Sequence, residues 1–359
     1  MKAIVYSAPN TITVEERPAP TLTHPTDAII RMQHSSICGT DLHILKGDVS
    51  TAQPGLILGH EGVGIVHSLG SAVSGLSPGD QVILSCVSAC GVCPACRGGL
   101  YSHCEDDEGG WILGNTIDGM QAEYVRVPHA RSSLFKLGTH GSEKLVKPRT
   151  AALLSDAFPT ALECGVKPAG VKPASSVVVI GAGPVGLAAA VMARSLYAPS
   201  LVVVVDRNAA RLEMARALGA AHEVVDCSGE GGDEEALGQL MRLSEGKGFD
   251  SVIEAVGVPG SFEMAQEVVA VGGAIANVGV HGKKVDLHLE RLWDRNISIH
   301  ASLVDTTSTP MLLRLFETGQ LDGSPLITHV FPFSKAEQAY ETCRAAAKEK
   351  AMKIIIDID

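Results

Sequence analysis

The sequence predicts an α/β chain of two domains: a mostly antiparallel β domain carrying a metal-organised lobe, and a doubly wound parallel sheet. Three observations carry that expectation. At 359 residues the chain exceeds what one hydrophobic core usually organises. Four cysteines, Cys90, Cys93, Cys96 and Cys104, fall close together in a stretch with neither strand nor helix periodicity. From residue 175 onward, short Val/Ile runs alternate with helical stretches, the pattern of a parallel sheet.

Taken in order, Met1-Lys2-Ala3-Ile4-Val5 reads as a first strand and lacks the basic region, apolar stretch and small-residue cleavage site of a secretory leader. The odd total of nine cysteines also fits a reducing compartment, so a cytoplasmic location is expected. Apolar runs at 28–32, 62–66, 81–84 and 122–127, broken by Gly and Pro, predict antiparallel strands, with a turn at Pro78-Gly79-Asp80. Across 86–110 the alternation gives way to Gly, Cys and acidic residues. The spacing Cys90-x2-Cys93-x2-Cys96-x7-Cys104 lets four sulfurs surround one zinc, and four thiolates leave no open coordination position. A pair of disulfides would use the same residues.

Residues 151–165 read as helical. Beyond them come a strand at 177–180, a helix at 185–196, a strand at 201–205, a helix at 209–218 ending at Gly219, and a strand at 251–254. A helix at 262–270 and a strand at 273–278 follow. The glycine-rich acidic stretch 229–235 is expected to be an exposed loop. Helical periodicity returns at 311–317 and 335–348, and 352–356 is a final strand. The expected division is therefore 1–155, with its lobe at 86–110, then 156–298, then a return segment 299–359 that completes the first domain.

Composition narrows the function. Apolar residues make up 45% and aromatics 4%, and the formal charge is −11 without a Lys/Arg block, which disfavours nucleic-acid partners. The apolar stretches at 176–182 and 201–205 are far too short to cross a bilayer.

Gly181-Ala182-Gly183-Pro184-Val185-Gly186 follows a buried strand and opens a helix. Its first glycine makes a tight turn, the second admits a pyrophosphate, and the third lets helix and sheet pack closely. Asp206 ends the next strand, where a carboxylate accepts from the ribose hydroxyls of NAD and repels the 2′-phosphate of NADP. Arg207 beside it complicates the reading, because an Arg there pairs with a phosphate. NAD is nevertheless the expected coenzyme. By the rule for open sheets, Ala255-Val256 and Val278-Gly279-Val280, at later strand ends, line the same crevice.

Cys38 alone reads as a buried thiol and His60 alone as a core histidine. In context, Cys38-Gly39-Thr40-Asp41-Leu42-His43, Gly59-His60-Glu61-Gly62-Val63-Gly64, the cysteine lobe, Gly181 to Gly186 and Lys353-Ile354-Ile355-Ile356 occur in an order that resembles the zinc-dependent medium-chain alcohol dehydrogenases. The resemblance spans essentially the whole chain. It implies a GroES-like catalytic domain and a Rossmann domain with a catalytic zinc in the cleft between them, and dimers or tetramers. It also implies two zinc ions per subunit and NAD. Cys38 and His60 match two ligands of the catalytic zinc. At the third, often cysteine in the family, stands Ser155-Asp156-Ala157-Phe158-Pro159-Thr160, similar to the secondary-alcohol branch in which aspartate is the ligand; Cys164 reads as a core thiol. Glu61 resembles the family glutamate that approaches zinc and ligates it transiently.

In the same way the resemblance makes Thr40 the hydroxyl that receives the substrate proton and His43 the end of the relay, places Thr160 beside the nicotinamide, and counts Lys353 among the coenzyme contacts. Zinc bound to Cys38, His60 and Asp156 would keep its fourth position for an alcohol oxygen and stabilise the alkoxide. The acidic end of the second Rossmann strand and the retained lobe set this chain apart from NADP-using members of that branch. A small uncharged secondary alcohol or its ketone is the expected substrate, with polyols, diols or primary alcohols next. A zinc-stabilised nucleotide-binding protein without catalysis is the remote alternative. Trp111, Ile112, Leu292, Trp293 and Leu303 read as pocket, subunit contact or core.

Overall fold

The structure is a computed structural model describing residues 1–138 and 146–358. It divides into two compact units, Met1–Pro159 with Val304–Asp359, and Thr160–Leu303.

In the first unit, β1 (Lys2–Ala8) and β2 (Thr11–Glu16) form an antiparallel pair. They are followed by β3 (Ala28–Ile37), α1 (Gly39–Lys46), β4 (Gly62–Leu69), β5 (Gln81–Leu84), β6 (Tyr124–Val127) and β7 (Leu134–Lys136). The second unit runs β8 (Ser176–Ile180), α2 (Pro184–Tyr197), β9 (Leu201–Asp206), α3 (Ala209–Ala217), β10 (Glu223–Asp226), α4 (Gly232–Leu243), β11 (Phe249–Glu254), α5 (Pro259–Val268), β12 (Val269–Asn277) and β13 (Ser298–Ala301). The return segment adds α6 (Thr309–Glu317), β14 (Ile327–Pro332), α7 (Ala336–Arg344) and β15 (Lys353–Asp357).

The large sheet of the first unit has the order β14-β15-β3-β4-β5-β7, with β6 also on β3. All of its pairings are antiparallel except β14 with β15. Alternate side chains of this sheet, among them Ile30, Met32, Val66, Leu84 and Ile356, share one core with Ile4 of β1 and Tyr340 of α7. The register matters for function: Ile354 opposes Ile37 on β3, so Lys353 arrives beside the segment leading to Cys38.

The second unit has the parallel order β10-β9-β8-β11-β12-β13. Val177, Val178 and Val179 are each fully buried, as expected for a central strand covered on both faces. Each such side chain contributes about 1.5–3 kcal/mol of burial.

Three local expectations are corrected. The helical stretch 151–165 is a chain of short turns, Pro148–Ala151, Ala152–Leu154 and Ala157–Thr160, closing in a π turn over Ala161–Val166. Pro159 lacks the N–H a continuous helix needs. The stretch 229–235 is a loop only as far as Gly231. Gly229 and Gly231 take left-handed φ of 88° and 74°, and α4 then starts with Asp233, Glu234 and Glu235 in its first turn, where the helix dipole favours acidic groups. The helix expected over 262–270 stops at Val268, and the valine-rich segment behind it opens β12.

Candidate active site and metal centres

The lobe is built from one segment. Sγ atoms of Cys90, Cys93, Cys96 and Cys104 all lie within 4.8 Å of one another. Cys90 and Cys96 are 3.9 Å apart and Cys93 and Cys104 4.0 Å, far beyond the roughly 2 Å of a disulfide. Backbone N–H groups point at the sulfurs: Cys93 to Cys90 Sγ at 3.4 Å, Glu105 and Cys96 to Cys93 Sγ at 3.4 Å, and Cys90 to Cys104 Sγ at 3.3 Å. The Glu105 and Cys96 N–H groups pull the Cys93 thiol down to about 6, while burial pushes Cys96 up to about 12. Four sulfurs cradled by N–H groups fit a closed zinc site, where thiolate is the ligand form.

The second cluster is assembled from distant segments. Cys38 caps α1, and Asp41 turns its carboxylate back to accept the Cys38 N–H at 2.9 Å. Gly59 holds φ at +94°, and a Cβ there would stand 2.5 Å from Gln121, so only glycine delivers the chain to His60 in this turn. Asp156 sits between the Ala152–Leu154 and Ala157–Thr160 turns. One ligand atom from each of Cys38, His60, Glu61 and Asp156 falls within 4.8 Å of the others. His60 Nε2 is 3.6 Å from Asp156 Oδ2, and Cys38 Sγ is 3.7 Å from the same oxygen. A thiol, an imidazole and a carboxylate are the donor set of zinc.

On its far side, His60 Nδ1 faces Asp41 Oδ1 at 3.6 Å; both atoms are buried and neither has a hydrogen-bond partner. Carboxylates behind a ligating histidine fix its tautomer and ring orientation. Burial opposes charge on His60, but Asp156, Cys38 and Asp41 outweigh it and raise the imidazole well above its ordinary value. Burial likewise raises Asp41. Gln121 donates to Asp41 at 3.4 Å and accepts from the fully buried Tyr340 hydroxyl at 2.7 Å.

Lys353, expected among the coenzyme contacts, pairs with a residue of the metal cluster. It is buried, and its Nζ pairs with both carboxylate oxygens of the fully buried Glu61, which also accepts from Ser36 Oγ. Burial works against the Lys353 charge, but Glu61 outweighs it and raises the amine above its ordinary value. Thr40 Oγ1 accepts from Cys38 Sγ at 3.6 Å, and His43, one turn along α1, has Nδ1 2.9 Å from Asp48 Oδ2. Trp111 stands edge-on to His60 at 6.1 Å between ring centroids, while Trp293 is largely exposed. Cys164 and Ile112 are buried.

Sequence reasoning passed over Asp48, Ser36, Cys86 and the role of Asp41 behind His60. Asp41 was legible, since an acid three residues after a helix-capping Cys turns back on it; the others depend on tertiary pairing. Cys86 is buried, its thiol donates to Asp156 Oδ1 at 3.7 Å, and burial together with Asp156 and Glu61 raises it well above its ordinary value.

In the second unit, Gly181 takes φ +103°, and a Cβ on Gly186 would stand 1.9 Å from the Gly181 carbonyl oxygen. That close approach starts α2 hard against the sheet, with Pro184 in its first turn. Around Gly183 no atom lies within 4 Å of where a Cβ would be, which leaves its backbone open to a phosphate. Asp206 Oδ2 accepts from Ala182 N–H at 2.7 Å and Oδ1 from Asn208 N–H at 2.8 Å, fixing the carboxylate beside the glycine turn. A cavity of about 610 Å³ includes Gly181, Gly183, Asp206, Arg207, Ala255 and Val256 in its wall. Arg207 is paired with Asp233 at 2.6 Å. Gly279 and Val280 pack against Gly257, and Val278 N–H donates to Glu254 O at 2.8 Å; none of the three is in that wall. Val185 follows Pro184 in α2, and Thr160, partly buried, ends the Ala157–Thr160 turn.

Residues 24–138 match the alcohol dehydrogenase GroES-like domain and residues 184–318 the zinc-binding dehydrogenase family. Zinc-type alcohol dehydrogenase B of Aspergillus flavus is 31% identical over 98% of this chain and 81% of its own. An alcohol dehydrogenase of Cupriavidus necator is 32% identical over 99% and 98%. The solved zinc-dependent alcohol dehydrogenase 2 of Streptococcus pneumonia, in its apo form, superposes with a TM-score of 0.92 at 44% identity, covering 100% of this chain and 99% of that one. The chain belongs to the zinc-dependent medium-chain alcohol dehydrogenases and is an oxidoreductase.

Proposed function

We propose that this enzyme transfers hydride reversibly between a small uncharged secondary alcohol, or its ketone, and NAD(H). The convergence of Cys38, His60 and Asp156 carries the reading, because it brings three zinc-type donors within reach of one ion. Zinc held there would supply Lewis acidity to the oxygen on the carbon that loses or gains hydride.

The chain's own residues do the rest. Asp41 orients His60, and Lys353 with Ser36 engages the Glu61 carboxylate, so ligation by Glu61 would require it to leave that pairing. Thr40 would take the substrate proton, and His43, held by Asp48, would pass it toward solvent. On the coenzyme side Asp206 presents a fixed carboxylate where ribose hydroxyls would bind, and Asp233 occupies the Arg207 charge that would otherwise welcome a 2′-phosphate. Both features favour NAD.

Self-assembly is part of the same reading. Edge strand β13 is exposed along its length, and Trp293, Leu289 and Leu303 are exposed around it, a surface suited to a second copy of the chain. Among the described residues no helix is long and apolar enough to cross a membrane, and nine cysteines outside any disulfide suit a reducing, cytoplasmic setting.

The decisive test is Asp156→Ala, assayed with NAD and a panel of secondary and primary alcohols. Turnover should fall on the order of 10³-fold while NADH still binds. Turnover equal to the parent's would remove Asp156 from the metal site.

A further inference from the structure

The segment carrying Asp156 is fastened at three points. Ser155 Oγ accepts from Gly62 N–H at 3.0 Å and donates to Gly62 O at 3.1 Å, which ties it to the residue following His60-Glu61. Cys86 N–H donates to Ser155 O at 3.1 Å. The Cys86 side chain then reaches Asp156 itself, with Sγ 3.7 Å from Oδ1. The other carboxylate oxygen, Oδ2, is the one facing Cys38 Sγ at 3.7 Å and His60 Nε2 at 3.6 Å. The two oxygens of one carboxylate therefore have different neighbours.

We infer that Cys86 is a positioning residue: its buried S–H holds Asp156 Oδ1 so that Oδ2 is the oxygen presented to the metal. The inference rests on the zinc site proposed above. It gives Cys86 a purpose other than ligation, since Cys86 stands outside the group of donors lying within 4.8 Å of one another. A carboxylate freed from this contact turns about its Cβ–Cγ bond and offers either oxygen, which loosens the ligand set and crowds the position reserved for the alcohol. Partners that orient a ligand in this way typically change metal affinity by about 10–100-fold. An S–H donor is weak, so the lower part of that range applies.

The test uses the zinc-loaded protein, with Cys86→Ala and Cys86→Ser compared with the parent. Zinc release to an excess of chelator is followed by a colorimetric indicator, and the visible spectrum is recorded after cobalt replaces the releasable zinc. The Cys90–Cys104 zinc serves as an internal control for folding. Cys86→Ala should release the second zinc about tenfold faster and alter the cobalt ligand-field bands, with the lobe zinc unaffected. Cys86→Ser, which keeps a donor, should fall between alanine and the parent. Unchanged release and spectrum in Cys86→Ala would overturn the role of Cys86 while leaving the zinc site intact. Equal loss in both variants, with weakened sulfur-to-cobalt charge transfer, would instead make Cys86 a direct ligand and also overturn it. A parent protein releasing zinc from the lobe alone would remove the metal site itself, and the inference with it.

Discussion

The Cys90–Cys104 lobe takes four sulfurs from one short segment and wraps them in that segment's own N–H groups, whereas Cys38 and Asp156 are 118 residues apart and meet only through tertiary structure. In the lobe, the polypeptide needs little beyond itself to present its ligands, and metal supplies the order. In the second cluster each ligand leans on a different element: Cys38 on the start of α1, His60 on Gly59 and Asp41, Asp156 on Gly62 and Cys86. The first arrangement suits a closed structural ion, and the second leaves ligand geometry adjustable by surrounding residues. A centre built the second way should fail when its supports are removed, and the lobe should not notice.

The largest effect is expected at Lys353. Lys353→Met would leave the fully buried Glu61 carboxylate without its counter-charge, and breaking one side of a buried pair costs about 3–5 kcal/mol. Chemical denaturation should show that loss with the lobe zinc still bound in the folded protein. A variant as stable as the parent would mean the pair does not anchor β15 to the metal centre. Asp41→Asn is expected to act more narrowly. It removes the charge behind His60, so metal affinity at the second site should drop about 10–100-fold, measured by competition with a chelator, with no change at the lobe. An equal drop at both sites would erase the contrast between them.

The smallest effect concerns pH. With the metal stripped, His60 is raised above its unfolded value, so it binds its proton more tightly folded than unfolded. Its contribution is fully present below the unfolded pKa of about 6.5 and is lost as pH rises through the folded value. The stripped protein should therefore lose part of its melting temperature as pH rises above that unfolded value, while zinc affinity moves the opposite way because metal displaces the proton. A stripped protein that gains stability with rising pH would contradict the charged state assigned to His60.

The same contrast explains what was legible in the sequence. Close cysteine spacing announces itself, as does Gly181 to Gly186 between a Val/Ile strand and a helix, because their geometry is local. The alternation of buried strands and helices from β8 onward was equally plain, since both faces of that sheet are covered and its strands are nearly all apolar. Cys38, His60 and Asp156 were found through a family resemblance, and nothing in their spacing alone brings them together. The pairing of Lys353 with Glu61 was not legible, since the two lie 292 residues apart and meet only because β15 runs antiparallel to β3. Cys86 was hidden for the same reason. The short turns over 148–166 defeated the helix expectation because Pro159 and local packing, not apolar period, set the chain's path there.

The most direct test of this contrast is the zinc content of the purified chain, measured by atomic emission for the parent and for Cys93→Ser. Two zinc ions per parent chain and one in Cys93→Ser are expected, with the remaining ion still exchangeable for cobalt in a site bearing one thiolate. A single zinc in the parent that disappears entirely in Cys93→Ser would contradict that expectation.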